Sequence, residues 1–158
     1  MLNFIGIDLE GVLVPEIWVA LAEKTGIEEL RLTTKDIGDY NELMKKRIAV
    51  LEKRNIKASM LFETAKNIEP YEGAVEFLLK LRQKYQVIVL SDTFFNLSMP
   101  IFKKLYNPTV FCHELIINNK GMIDGFKICK ENHKKFTLTF MNSLNFNTIA
   151  IGDSLNDI

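Results

Sequence analysis

Apolar positions follow two different periods along this 158-residue chain. Short continuous runs, Phe4-Ile5-Gly6-Ile7 and those at 86–90, 109–112 and 147–151, suit buried strands of a parallel sheet. Polar groups follow three of these runs at once. Asp8 and Glu10 come after the first, Ser91-Asp92-Thr93 after the second and Gly152-Asp153-Ser154-Leu155-Asn156-Asp157 after the last.

Between the first and second runs the period changes to that of helices. Pro15 suits a first helical position, Trp18, Leu21 and Ala22 fall at i, i+3, i+4, and Gly26 supplies a stop. Glu16 sits in the first turn of that helix, where a carboxylate is favoured by the helix dipole. Residues 39–54 read as an amphipathic helix with Tyr40, Leu43, Met44, Ile48 and Leu51 on one side. Arg47 shares that side, about 20° from Tyr40 at 100° per residue. An arginine inside an apolar stripe either snorkels to water at the edge or meets an anion. A further helix covers 58–67. Residues 15–69 are thus helical, an insertion between sheet elements.

Pro70 and Gly73 mark the return to the sheet, with a helix through Ala74, Val75, Leu78 and Leu81 before the second strand. A helix over 96–105 follows, delayed by Pro100. The third strand is short, and a separate hairpin turns at Asn118-Asn119-Lys120-Gly121. The helix at 132–144 opens with Lys134 and Lys135 and leads to the fourth strand. Strands alternating with helices predict an α/β fold with a Rossmann-like parallel sheet, whose ligands bind beyond the carboxyl ends of the strands. No Walker lysine motif and no G-x-G-x-x-G is present, so nucleotide-binding readings lose weight.

Twenty basic residues balance twenty acidic ones, so no global field argues for nucleic acid or a membrane surface. The apolar fraction of 47% and charged fraction of 25% are ordinary for a globular domain. Cys112 and Cys129 lie at no metal-ligand spacing and read as reduced, packed thiols of a cytoplasmic protein. The first residues enter a strand directly, with no signal peptide expected. His113 and His133 have no partner spacing and read as structural or exposed. Trp18 reads as core of the helical segment rather than a substrate platform.

The acids, a hydroxyl and a lysine converge on one sheet edge. Asp8 and Glu10 would repel one another in a buried setting, which calls for a cation or a shared proton. The set suits phosphoryl transfer with a divalent metal: a carboxylate nucleophile, an oxygen-bound cation and a lysine on the phosphate oxygens.

The order of these motifs resembles the haloacid dehalogenase superfamily of phosphohydrolases. Asp8-Leu9-Glu10-Gly11-Val12 looks like its first motif, Ser91 its second, Lys134 its third and Gly152-Asp153-Ser154-Leu155-Asn156-Asp157 its fourth. The run Asp8 to Trp18, with Leu90-Ser91-Asp92-Thr93-Phe94 and Cys112-His113, is similar to the phosphoserine phosphatases with phosphoserine:homoserine phosphotransferase activity. The resemblance implies the haloacid dehalogenase fold, with a core of 1–14 and 70–158 and a helical cap of 15–69 inserted after the first strand. It implies a Mg²⁺-dependent phosphoserine phosphatase, able to pass its phosphoryl group to homoserine. Asp8 would be the nucleophile and Glu10 the general acid and base. Glu10 replaces the aspartate most of the superfamily carries there. Mg²⁺ would be held by the Asp8 carboxylate, the Glu10 main-chain carbonyl and Asp153. Ser91, backbone groups of Asp92, and Lys134 in preference to Lys130 and Lys135 would bind phosphate. Glu16 would meet the substrate ammonium, Arg47 its α-carboxylate, and Asn156 the substrate or the metal's water shell.

The family continues past its fourth motif with another strand and a closing helix, whereas this sequence stops at Ile158. Ile149, Ala150 and Ile151 are therefore expected to form an uncovered edge. The favoured reading is a piece of a longer protein; the other is an edge covered by another chain, as in a homodimer. Two functional alternatives stand beside the leading one. They are a phosphatase of another small phosphomonoester, and a catalytically silent truncated domain that binds phosphate or a partner.

Overall fold

The fold is described from a computed structural model covering residues 2–153. The first apolar run forms β1 (Leu2–Ile7), and the run at 86–90 opens a longer strand, β2 (Gln86–Phe94). With β3 (Val110–Ile117), β4 (Ile123–Lys127) and β5 (Phe146–Ile151) they make one sheet in the order β4-β3-β2-β1-β5. All neighbours are parallel except the β3–β4 hairpin. The carboxyl ends of β1, β2 and β5 therefore open on the same edge.

Helices cover both faces. α4 (Ala74–Lys84) and α5 (Phe95–Lys104) pack on one side, and α6 (His133–Ser143) packs on the other against Phe4, Ile88 and Leu90 through Leu138 and Met141. Gly6 permits that second contact. A Cβ there would stand 2.8 Å from Leu90 and 3.0 Å from Leu138. Between β1 and α4 lie α1 (Ile17–Thr25), a 3-10 turn (Glu28–Arg31), α2 (Tyr40–Lys53) and α3 (Ala58–Asn67). Their apolar faces join the sheet-side core in one continuous cluster from Ile7 through Leu21, Met44 and Leu61 to Leu97 and Leu115. Asp39 caps α2 by accepting the Glu42 N–H at 2.8 Å, and Gly26 ends α1 in the left-handed region.

Four details differ from the sequence expectation. The second strand runs on through Ser91, Asp92 and Thr93, with a register shift against β3 between Leu90 and Phe94. Such a bulge keeps the chain extended while re-aiming its side chains. The third strand and the first arm of the hairpin are one strand, β3, parallel to β2 in its first half and antiparallel to β4 in its second. α5 starts at Phe95 with Pro100 inside it, at the loss of the N–H that would otherwise reach back one turn. Finally, α1 starts at Ile17 rather than Pro15. The Glu10–Val14 bridge and the bond from Gly11 N–H to the Val14 carbonyl close residues 11–13 into a turn, and Glu16 beyond it is extended and serves as N-cap.

β5 is the sheet edge among the described residues, and Ile149 on it is 43% exposed. Among those residues no helix is long and apolar enough to cross a membrane. Both cysteines are free; Cys112 is half-buried, but Cys129 is exposed rather than packed.

Candidate active site

A cavity of about 130 Å³ lies between the open sheet edge and the helices that follow β1. Asp8, Glu10, Ser91, Asp92, Lys134 and Asp153 reach it from the sheet side, and Glu16 and Arg47 from the helical side. Seven of the eight substrate and catalytic candidates and all three metal candidates thus meet in one place. Asn156 lies outside the described residues.

Asp8 follows β1 directly and continues its pairing, its N–H donating to the Ile151 carbonyl at 2.9 Å. Its carboxylate is fixed at both oxygens. Oδ1 accepts the Leu9 N–H at 2.7 Å, and Oδ2 lies 2.8 Å from Lys134 Nζ. Both side chains are buried, so the lysine compensates a charge that would be costly alone. Lys134 is the second residue of α6, which directs it inward. Lys135 is exposed, and Lys130 Nζ instead stands 4.7 Å over the Phe136 ring.

Glu10 Oε1 accepts the Ile17 N–H at 2.7 Å, so this side chain occupies the first amide of α1. Burial, together with the nearby charge of Glu16, pushes its carboxyl up to about 8 against the pull of that N–H. Glu16 does not cap α1 with its side chain, which leaves its carboxylate to line the cavity. Burial raises its pKa, while the neighbouring Arg47 pulls it down.

Arg47 is buried on the inner face of α2, with Cζ 4.6 Å from the Trp18 ring centroid. Nη2 donates to the Leu32 carbonyl at 2.6 Å; among the described residues Nη1 has only the Met44 sulfur at 3.8 Å, and buried Nε has no partner. A guanidinium cannot shed its charge, so these donors are suited to an anion in the cavity. Trp18 is core, 4% exposed, and is also the platform beneath this group.

Ser91 is fully buried, its Oγ accepting the Thr93 N–H at 3.2 Å. The Asp92 main-chain carbonyl is engaged by the Tyr40 hydroxyl at 2.7 Å. The Asp92 carboxylate stands 3.4 Å from Lys134 Nζ, 3.3 Å from His113 Nε2 and 3.7 Å from His133 Nδ1. Burial alone would raise its pKa, but the His113 hydrogen bond and the Lys134 charge outweigh it and hold the group down to about 2. Both histidines are buried, not exposed. Trp18 and His113 lie in stretches that carry the family resemblance but had no role assigned, and Tyr40 carries no motif of its own. Tyr40 could have been flagged as a polar-tipped ring in the same stripe as Arg47.

The Asp153 carboxylate closes on the turn after β1. Gly11 there has φ +81°, and a Cβ on it would lie 2.5 Å from Asp153 Oδ2. The Asp8, Glu10 and Asp153 donor set is all oxygen, around a cradle that only glycine leaves open, and this fits a hard divalent cation such as Mg²⁺.

No family model matches the chain. It is 45% identical over 151 residues to the phosphoserine phosphatase ThrH of Pseudomonas aeruginosa, covering 96% of this chain and 74% of that protein. A phosphoserine phosphatase of Pseudomonas syringae is also 45% identical, with 64% of its length covered. Among solved structures, a substrate-bound phosphoserine phosphatase complex superposes with a TM-score of 0.79 at 27% identity, over 99% of this chain and 80% of that one. A phospho-aspartyl intermediate analogue of phosphoserine phosphatase gives 0.78 at 26%, with the same coverage.

Proposed function

This chain belongs to the phosphoserine phosphatase family of the haloacid dehalogenase superfamily, and from that membership we propose that it hydrolyses L-phosphoserine through a phosphorylated Asp8. The observation that carries the reading is the convergence of Asp8, Lys134 and Ser91 beneath Arg47 and Glu16 in one small cavity. Phosphate-binding groups and amino-acid-binding groups then face a single ligand from opposite sides.

In the first half-reaction Asp8 attacks phosphorus, the bond to the seryl oxygen breaks, and Glu10 delivers its proton to that oxygen. A carboxyl with a pKa of about 8 carries the proton at neutral pH. Lys134 and Ser91 hold the phosphate oxygens. In the second half-reaction Glu10, now ionised, takes a proton from water as the water oxygen attacks phosphorus and Asp8 leaves. Asp8, the Glu10 main-chain carbonyl and Asp153 would hold Mg²⁺, whose charge offsets the repulsion between Asp8 and the phosphate. Asn156 is the remaining candidate for the substrate or the metal's water shell.

Arg47 is assigned the α-carboxylate and Glu16 the α-ammonium, with residues 15–69 acting as the cap. The incomplete hydrogen bonding of Arg47 supports this reading. Homoserine carries the same two groups and a terminal hydroxyl. A cavity that holds serine through them therefore also admits homoserine as the acceptor of the second half-reaction.

Phosphorus NMR of L-phosphoserine with this chain and Mg²⁺, with and without L-homoserine, tests the proposal. Release of inorganic phosphate that disappears in Asp8→Asn is expected, with a phosphohomoserine signal when homoserine is present. Absence of turnover by the folded chain would overturn the catalytic reading. Phosphate release without phosphohomoserine would remove only the transfer step.

A further inference from the structure

Behind the Asp92 carboxylate, on the far side from the catalytic cavity, three metal-binding side chains meet. His113 comes from β3, His133 opens α6, and Cys129 lies in the loop between β4 and α6. One nitrogen of each imidazole and the Cys129 sulfur all lie within 4.8 Å of one another. Tetrahedral zinc, with bonds of about 2.0 Å to nitrogen and about 2.3 Å to sulfur, spaces its ligands by about 3.3–3.5 Å. A contraction of at most about 1.4 Å, to which the exposed cysteine can contribute, closes the set around an ion.

The hydrogen bonding around the rings favours this use. His133 is 5% exposed, yet among the described residues its Nε2 has no hydrogen-bond partner, which is costly for a buried polar atom. His113 Nδ1 accepts a long 3.2 Å bond from the Cys129 N–H, and an ion bound there would take over that lone pair. The opposite nitrogens, His113 Nε2 and His133 Nδ1, both face Asp92 Oδ1. One carboxylate behind two imidazoles is the arrangement that orients metal-bound histidines and fixes their tautomers. The rings stand edge to face with centroids 5.1 Å apart. A second cavity of about 660 Å³, lined by His113, Cys129 and His133, gives a path from solvent to the cluster.

We propose that His113, Cys129 and His133 form a binding site for a borderline-soft divalent metal, Zn²⁺ by preference, separate from the oxygen-lined Asp8–Asp153 site. Thiolate and imidazole ligands select zinc or cobalt over magnesium, so the two sites sort metals by ligand chemistry. Asp92 contacts both histidines and Lys134, and Lys134 contacts Asp8, so the new site adjoins the catalytic lysine through one carboxylate.

Co²⁺ titration in the presence of excess Mg²⁺ tests the proposal by a readout independent of activity. A sulfur-to-cobalt charge-transfer band in the near ultraviolet, saturating at one ion per chain and reversed by Zn²⁺, is the expected result. Cys129→Ser, which keeps the main-chain N–H to His113, loses the band while retaining its circular dichroism and Mg²⁺-supported turnover. Absence of the band in the wild-type protein, or its persistence in Cys129→Ser, would overturn the site. Loss of the band in Cys112→Ser with retention in Cys129→Ser would do the same.

Discussion

The Tyr40 hydroxyl donates to the Asp92 main-chain carbonyl at 2.7 Å, tying α2 to the bulged end of β2 across 52 residues of sequence. The ring is held as well, with centroids 5.3 Å from His113 and 6.1 Å from Phe126. One side chain therefore fixes the helix that carries Arg47 over the strand that carries Ser91. Tyr40→Phe keeps the ring and removes the bond. It is expected to cost about 1 kcal/mol in urea denaturation, with unchanged circular dichroism and a raised KM for phosphoserine. An unshifted denaturation midpoint would show that the bond holds nothing.

Arg47 sets stability against binding. Its buried charge and its Nε, unpartnered among the described residues, burden the free protein, whereas under the proposed function the same donors would serve an incoming carboxylate. Arg47→Met is expected to hold or raise the melting temperature of the ligand-free chain. It should also raise KM for phosphoserine by about 10-fold or more, the equivalent of one lost charged hydrogen bond. A phosphomonoester without a carboxylate should show no such change. An equal loss on both substrates would remove the carboxylate assignment.

Gly11 separates backbone strain from crowding at the proposed metal cradle. Gly11→Ala faces both, a φ of +81° and a Cβ 2.5 Å from Asp153 Oδ2. Gly26→Ala faces only the first, with φ +69° and nothing within 4 Å. Each should lose about 1–2 kcal/mol of stability to the left-handed backbone. Only Gly11→Ala should also raise the Mg²⁺ concentration needed for half-maximal turnover. Equal metal dependence in the two variants would contradict an Asp153 role at the cation.

The strand-end acids and Arg47 were legible because each breaks an apolar pattern at a place where chemistry collects: a strand terminus, or the inner stripe of a helix. The fold followed from the same alternation. What was not legible depends on register and crossing rather than local pattern. The extension of β2 through Asp92 rests on a bulge against β3, and polar residues after an apolar run read as a loop. His113, Cys129 and His133 are brought together by a hairpin and a helix start, so no spacing rule announces them. Trp18 was assigned to the core, which is true of its burial, but its second face is used by Arg47. Pro100 inside α5 is tolerated because the helix is held by its buried face, where Leu97, Ile101 and Phe102 pack.

Glu10 makes the stability of the metal-free chain depend on pH in a direction opposite to that of an ordinary paired carboxylate. Burial, then the charge of Glu16 and to a smaller extent that of Asp8, hold its folded pKa at about 8. The unfolded chain releases the same proton near the ordinary value of 4.5. Between those limits the folded state binds more protons, so raising the pH favours unfolding. The contribution is whole below about 4.5 and is lost progressively as pH rises through about 8. Thermal melts in EDTA from pH 5 to pH 8.5 should therefore show a falling melting temperature. Glu10→Gln can still accept the Ile17 N–H and carries no titrating proton, so its melting temperature should be much flatter over the same range. Mg²⁺ should restore the wild-type protein most strongly at the alkaline end, where its charge offsets that of the ionised Glu10 side chain beside it. A wild-type profile as flat as that of the variant would mean that Glu10 is ionised at neutral pH in the folded chain. The proton for the leaving serine would then have to come from another group.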